Sequence, residues 1–328
     1  MANPIDSFAN AQLHDRRERL ESAIAEFGGT THLARLLQEV DLALERIDKG
    51  SYGLCEACQE PIEKDRLLAD PLVRLCIDHL TSEQQRALEQ DLELASRIQA
   101  TLLPKRNVTS HGWEVHYYYE PAGPVSGDYC DVMTSDDGGG GLYFLLGDVA
   151  GKGVAASLLM SHLHAIFRSL MALRLPVAQL AERANRVFCE STMATSFATL
   201  ICGKAGPAGE VELCNAGHCH PILLRRGEVT ALEATGLPLG MFSSGQYEVK
   251  RMEMAKGDSL LLYTDGLIEA RNASQSEYSA SRLQELAGKK EALAPQALAE
   301  ACLEDLRVFL SGSAKTDDLT IMVLRRVV

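Results

Sequence analysis

Positive charge is in short supply: 32 lysines and arginines stand against 45 aspartates and glutamates, giving a formal net charge of -13. General attraction to nucleic acid or to an anionic membrane needs a cationic surface, so neither is an expected partner, and phosphate would have to be held by local chemistry. No apolar run of about 18 residues, the length that spans a bilayer, stands out. The first residues also lack the charged-then-apolar pattern of a secretory leader. A cytoplasmic protein is therefore expected. The remaining composition, 46% hydrophobic and 23% charged, is that of a chain that folds. At 328 residues it has roughly twice the usual domain length, so two folded units are expected.

Cysteine, by contrast, is plentiful at nine residues. In a reducing compartment thiols stay free, and a cluster of them more often binds metal than forms disulfides. Cys130, Cys189, Cys202, Cys214, Cys219 and Cys302 are scattered, mostly among apolar neighbours, and read as core. Cys55, Cys58 and Cys76 cluster. Cys55-Glu-Ala-Cys58 and Cys76-Ile-Asp-His79 are two pairs with two-residue gaps, the spacing with which short loops aim ligands at one tetrahedral ion. A Zn²⁺ site made by Cys55, Cys58, Cys76 and His79 is expected. With four protein ligands it is closed to substrate and structural.

Hydrophobic spacing divides the chain. Leu13, Leu20, Ile24 and Phe27, then Leu33, Leu36 or Leu37, Val40, Leu44 and Ile47, recur at helical steps. Gly28 and Gly29 break the pattern, and Thr30 or Thr31 can cap a second helix, so a helical hairpin is expected. Residues 50–80 are turn-rich and too few for a core without a staple. Leu88, Leu92, Ala95, Ile98 and Leu102 then form an apolar stripe on one helix from Thr81 to Leu103, which Pro104 stops. An isolated linker would leave that stripe in water, so pairing with its copy in a homodimer is expected; folding back onto its own domain is the competing reading. Beyond it, strand-like runs (Val115 to Tyr119, Leu142 to Leu146, Leu260 to Tyr263) alternate with helical ones (Ala155 to Leu173, Pro295 to Phe309). The expected organisation is a hairpin plus zinc module over 1–80, an amphipathic helical linker over 81–104 and an α+β domain over 105–328.

In the last of these, aspartates recur where an apolar strand breaks into a turn. They lie in Ser126-Gly-Asp128-Tyr-Cys-Asp131, Leu145-Leu-Gly-Asp148-Val-Ala-Gly-Lys-Gly153, Leu262-Tyr-Thr-Asp265-Gly266 and Lys315-Thr-Asp317-Asp318-Leu-Thr320. Any one Asp-Gly pair can be a surface turn. Gathered at adjacent strand ends, carboxylates repel one another unless a cation neutralises them, and Mg²⁺ or Mn²⁺ prefers such oxygen ligands. Cys130, beside one of these acids, lacks the Cys-x5-Arg loop of cysteine phosphatases, and no cysteine or serine stands out as a nucleophile.

Two resemblances follow from these residues. Gly50-Ser-Tyr-Gly-Leu-Cys-Glu-Ala-Cys58, Pro61-Ile, Arg66-Leu-Leu-Ala69 and Leu75-Cys-Ile-Asp-His79 resemble the DksA/TraR zinc-finger family over about 15 to 80. His79 stands where a fourth cysteine is usual. The tip Glu26-Phe-Gly-Gly-Thr-Thr31 lacks the acidic residues through which DksA-like proteins act on RNA polymerase. From about 90 to 326 the order of motifs resembles the SpoIIE-like branch of the PPM metal-dependent protein phosphatases. The set is Leu92-Glu-Leu-Ala-Ser-Arg-Ile-Gln-Ala-Thr-Leu-Leu-Pro104, Gly127-Asp128, Gly147-Asp-Val-Ala-Gly-Lys-Gly153, Asn215-Ala-Gly-His218, Gly236-Leu-Pro-Leu-Gly240, Tyr263-Thr-Asp-Gly-Leu267 and Thr316-Asp-Asp-Leu-Thr320.

That resemblance implies a PPM-type α/β-β/α sandwich holding two or more Mn²⁺ or Mg²⁺ ions. Asp148 would bridge both metals beside the carbonyl of Val149, Asp265 and Asp317 would complete one shell, and Asp128 would serve the second metal directly or through water. Asp131 is a weaker candidate, and Asp318 falls outside the ligand set. Lys152 stands where a histidine is often found, which leaves the proton donor unassigned, and His218 reads as a packing residue before a catalytic one. The implied activity is hydrolysis of phosphoserine or phosphothreonine by metal-activated water. The implied substrate is a phosphorylated regulatory protein, an anti-sigma-factor antagonist of STAS type. A non-catalytic transcription regulator acting through the zinc module is the alternative, which the intact acids oppose.

Overall fold

The computed structural model describes residues 4–27, 31–80, 82–134, 140–313 and 315–328. Gly28, Gly29, Thr30 and Thr81, which the sequence marked as a break and as helix starts, lie outside the described residues. The chain divides into two compact units, Met1–Asp91 and Leu92–Val328.

The first unit holds α1 (Pro4–Phe27), α2 (Thr31–Asp48) and the short α3 (Lys64–Ala69). α1 and α2 pack on each other as a helical hairpin. Leu13, Val40 and Ala43 from the hairpin are buried together with Tyr52, Cys55, Ile62, Leu67 and Cys76 from the turn-rich segment. The segment thus shares the hairpin's core, which relieves the shortage of apolar residues noted above. Arg46, in the last turn of α2, donates to the carbonyl of Leu54 and pins the segment to the helix.

α4 (Ser82–Leu102) carries the chain from one unit into the next. Of the expected stripe, Leu92, Ala95 and Leu102 are half-buried and Leu88 is exposed. Ile98 is 56% exposed, whereas Gln99 is buried. Both ends of the Gln99 amide are satisfied: Nε2 donates to the carbonyl of Ser126 at 2.7 Å and Oε1 accepts from its N–H at 3.0 Å. A polar side chain fully paired with backbone can occupy an interior position that hydrophobic periodicity assigns to its neighbour.

The second unit contains β1 (Asn107–Ser110), β2 (Trp113–Glu120), β3 (Asp128–Thr134), β4 (Leu142–Val149), α5 (Gly153–Met171), α6 (Val177–Ser191), β5 (Ala198–Ala205), β6 (Glu210–Ala216), β7 (Ile222–Arg225), β8 (Glu228–Ala231), β9 (Lys250–Glu253), β10 (Ser259–Tyr263), α7 (Asp265–Ile268), α8 (Ala280–Lys289), α9 (Pro295–Leu310) and β11 (Leu319–Arg326). A six-stranded sheet runs β1-β2-β11-β10-β7-β8 and a five-stranded sheet β3-β4-β5-β6-β9. Alternation along the strands shows how they stack. Leu142, Phe144 and Leu146 of β4 meet Leu260 and Leu262 of β10 and Met322 and Leu324 of β11 between the sheets. The alternate residues Tyr143 and Leu145 face α5 and α6, while Leu261, Ile321 and Val323 face α8 and α9. Each sheet is therefore buried on both sides, which is why these strands read as unbroken apolar runs. The architecture is the expected α/β-β/α sandwich.

By length and composition α5 is long and apolar enough to cross a membrane, which corrects the expectation that no apolar run of that length stands out. Its Met160, Leu163 and Phe167 are buried in the core under the five-stranded sheet.

Candidate metal centres

The sandwich brings the four candidate acids to one end. Asp128 opens β3 and Asp148 lies just before the end of β4, and the two are direct cross-strand partners. Like charges so placed repel. On the other sheet, Tyr263 pairs with Ile321, so the chain leaving β10 at Asp265 runs beside the chain entering β11 from Asp317 and Asp318. Gly266 permits this approach: a Cβ there would lie 1.9 Å from the Asp318 carbonyl oxygen and 3.4 Å from Asp317 Cβ.

Gly127 has a similar purpose. A side chain at that position would sit 3.1 Å from the carbonyl oxygen of Val149 and 3.3 Å from Asp148 Oδ1. Glycine keeps open the space into which both oxygens face.

Burial and mutual repulsion dominate the electrostatics. Asp128 is 1% exposed. Its Oδ2 accepts from the hydroxyls of Thr264 and Thr320, and its Oδ1 is buried with no partner. Burial, then Asp148, pushes its carboxyl well above the usual range against those two hydroxyls. Burial followed by the charges of Asp265, Asp317 and Asp318 pushes Asp148 up to about 7, and burial with Asp317 raises Asp265. The nearby cation is Lys152, whose Nζ donates to Asp317 Oδ2 at 2.8 Å and to the Thr316 carbonyl at 3.0 Å. One ammonium among four acids leaves the cluster short of positive charge. The donor set is all oxygen, with an orphaned buried Oδ1 and a glycine-sized opening in front of two more, and it suits hard divalent ions.

Two neighbouring acids have other work. Asp131 is buried beneath α5, where Arg168 grips it with Nε and Nη2 at 2.7 Å each, away from the cluster. Asp318 accepts from the N–H of Ala122 at 2.7 Å and of Gly127 at 2.8 Å, anchoring the loop that leads to Asp128. Thr264 and Thr320 were not singled out from the sequence, although each sits inside a quoted motif. No cysteine is placed for covalent catalysis. Cys130 is sealed between the sheets, and burial pushes its thiol well up. Cys219 and Arg225 do stand at Cys-x5-Arg spacing. However, Arg225 ends strand β7 and pairs with Asp258, and burial followed by Asp265 lifts the Cys219 thiol to about 12.

In the first unit, Cys55, Cys58, Cys76 and His79 converge with their ligand atoms all within 4.8 Å of one another. Cys58 Sγ lies 3.7 Å from Cys76 Sγ, which lies 3.2 Å from His79 Nδ1. Tetrahedral zinc with Zn–S bonds of about 2.3 Å requires sulfur spacings of roughly 3.8 Å. Burial raises the Cys55 thiol, but the N–H groups of Cys76, Cys58 and Ala57 together outweigh it and draw it down to about 6. The turn thus favours a thiolate at Cys55, while burial and then the neighbouring thiols of Cys55 and Cys58 push Cys76 up to about 11.

Comparison with known proteins finds relatives for both units. Residues 50–78 match the prokaryotic dksA/traR C4-type zinc finger, with His79 here in the fourth place. Over 77 residues the chain is 31% identical to the RNA polymerase-binding transcription factor DksA of Caulobacter vibrioides, covering 24% of this chain and 54% of that one. Over 247 residues it is 26% identical to the phosphoserine phosphatase RsbU of Bacillus subtilis, covering 74% of this chain and 72% of that protein. The SiaA-PP2C domain of Pseudomonas aeruginosa superposes with a TM-score of 0.65 at 21% identity, over 75% of this chain and 99% of that one, and so shares the fold. Residues 138–327, which include three of the four clustered acids and more than half the chain, match stage II sporulation protein E. An acid-ended sandwich carried behind a zinc finger is thus placed by its own motifs, and the chain belongs to the SpoIIE family.

Proposed function

We propose that the Leu92–Val328 unit is a metal-dependent protein phosphatase that removes phosphate from phosphoserine or phosphothreonine of a regulatory protein in the cytoplasm. The observation that carries this reading is the convergence of Asp128, Asp148, Asp265 and Asp317 around an opening lined by free oxygens. Asp148 would hold both ions, with the Val149 carbonyl beside it, Asp265 and Asp317 one of them, and Asp128 Oδ1 the second. When bound, two Mn²⁺ or Mg²⁺ ions supply activation of water and neutralisation of phosphoryl charge. The protein's part is to fix the acids on rigid strand ends, to orient Asp128 through the hydroxyls of Thr264 and Thr320 on the inner side, and to present Lys152 at the rim.

The SpoIIE-like resemblance and the similarity to RsbU support a STAS-type anti-sigma-factor antagonist as substrate. Phosphate release from a panel of phosphorylated STAS-domain proteins, set against an unrelated phosphoserine protein, tests this. Faster release from one STAS member is expected, and equal rates throughout would contradict it. Zinc held by Cys55, Cys58, Cys76 and His79 would be structural.

Pairing of α4 in a homodimer is supported by the exposure of Leu88, Leu94 and Ile98 at 37%, 51% and 56%. Burying each leucine contributes about 1.5 to 3 kcal/mol, enough in a two-fold seam to hold two copies. Leu94→Glu with Ile98→Glu is expected to convert a sedimenting dimer to monomer. A wild-type protein that sediments as a monomer at high concentration would contradict the pairing.

A further inference from the structure

Beneath the acid cluster lies a histidine that the mechanism above does not use. His218 is 4% exposed. Its Nδ1 lies 2.7 Å from Thr199 Oγ1, while Nε2 is buried with no hydrogen-bond partner. The Tyr263 carbonyl is near enough to favour a proton on the ring, though short of full hydrogen-bond geometry. Burial overrides that influence and holds the imidazole at about 4, so the ring is neutral at physiological pH and is no general acid.

Its two neighbours are informative. Thr199 is the cross-strand partner of Asp148 on β5, and its hydroxyl also reaches the Asp148 carbonyl at 3.5 Å. Tyr263 ends β10, directly before Thr264 and Asp265. The ring is therefore hydrogen-bonded to the five-stranded sheet beside Asp148 and lies near the Tyr263 carbonyl, two residues before Asp265, between two strand ends whose acids repel each other in the cluster. Its own backbone is held firmly. The His218 N–H donates to Asn215 Oδ1 at 2.7 Å, Asn215 Nδ2 donates back to the His218 carbonyl at 3.1 Å, and Asn215 is itself fully buried. Gly217 completes the turn at φ +68°, where a Cβ would lie 2.6 Å from Pro238.

We propose that His218 is a positioning residue for the acid cluster, a rigid strut that acts through Thr199 on the strand pair carrying Asp148 and so sets its separation from the end of β10 that leads to Asp265. Without it the two carboxylates relax apart, and the oxygen spacing that suits divalent ions is lost. Groups that orient metal ligands from behind change affinity by about 10- to 100-fold when removed.

The inference rests on the metal site proposed above. Its test is Mn²⁺ binding to the zinc-loaded full chain, followed by the electron paramagnetic resonance of free Mn²⁺, with melting temperature measured on the metal-free protein. Thr199→Val, which keeps the β-branched shape, and His218→Ala are each expected to weaken Mn²⁺ binding about tenfold. Thr199→Ser, which keeps the hydroxyl, is expected to bind as wild type does. The double variant should be no weaker than either single one, because both remove the same strut. Unchanged Mn²⁺ affinity in Thr199→Val, with or without a lower melting temperature, overturns the inference even if His218→Ala fails to fold. A wild-type chain that binds no Mn²⁺ would overturn the site itself.

Discussion

Replacing Asp148 with Asn is expected to lower phosphatase activity by at least about a thousandfold, the loss of roughly 4 kcal/mol of transition-state stabilisation. Asp265→Asn should behave alike. Neither change should unfold the protein, because in the metal-free state these carboxylates oppose folding. Asp148 is pushed up to about 7, above its unfolded value of about 4, by burial and then by Asp265, Asp317 and Asp318. Between those values the folded chain binds more protons than the unfolded one, so stability falls as pH rises through the window and is level above it. A displacement of this size corresponds to about 3 to 4 kcal/mol at most. The metal-free wild type should therefore melt at a lower temperature near pH 7.5 than near pH 5, and Asp148→Asn should flatten that slope. Divalent cation should flatten it as well. Wild-type turnover by either variant, or a metal-free melting temperature that rises with pH over this range, would contradict the assignment.

The second large effect concerns the zinc module. Structural zinc contributes about 10 to 16 kcal/mol to small fingers, far more than the core shared by Tyr52, Ile62 and Leu67 can replace. Cys58→Ala and Cys76→Ser are each expected to abolish the one zinc per chain found by metal analysis and to expose the segment from Gly50 to Leu80 to proteolysis. Mn²⁺ binding by the second unit should persist, since the acids proposed to hold it offer only oxygen and lie on separate elements. Full zinc occupancy in either variant, or loss of both metals together, would contradict two separate sites.

Most of this fold is legible in the sequence, and the exceptions have physical causes. Strands β4, β10 and β11 show as apolar runs because both faces of each sheet are covered, and the acids show because each interrupts such a run at its end. The four residues proposed to hold zinc are legible because each pair has the short gap that lets one loop aim two atoms at one ion. What periodicity misses is buried polarity. Gln99 occupies an inward position on α4 because Ser126 satisfies its amide, and Ile98 turns outward. Asp131 has the same local sequence flavour as Asp128, yet only tertiary packing reveals that Arg168, well along the chain, holds it. Thr264, Thr320 and His218 act on the acids through contacts between strands of different sheets, and those contacts leave no spacing signal.

On the function proposed here, the acid cluster hydrolyses phosphoserine or phosphothreonine with bound divalent cation. The most direct measurement is phosphate release from a phosphoserine-bearing protein by the full chain, first stripped of divalent cation with chelator and then resupplied with Mn²⁺ or Mg²⁺. Release is expected only after resupply, and not at all from Asp148→Asn. Undiminished release in chelator, or equal release by that variant, would contradict it.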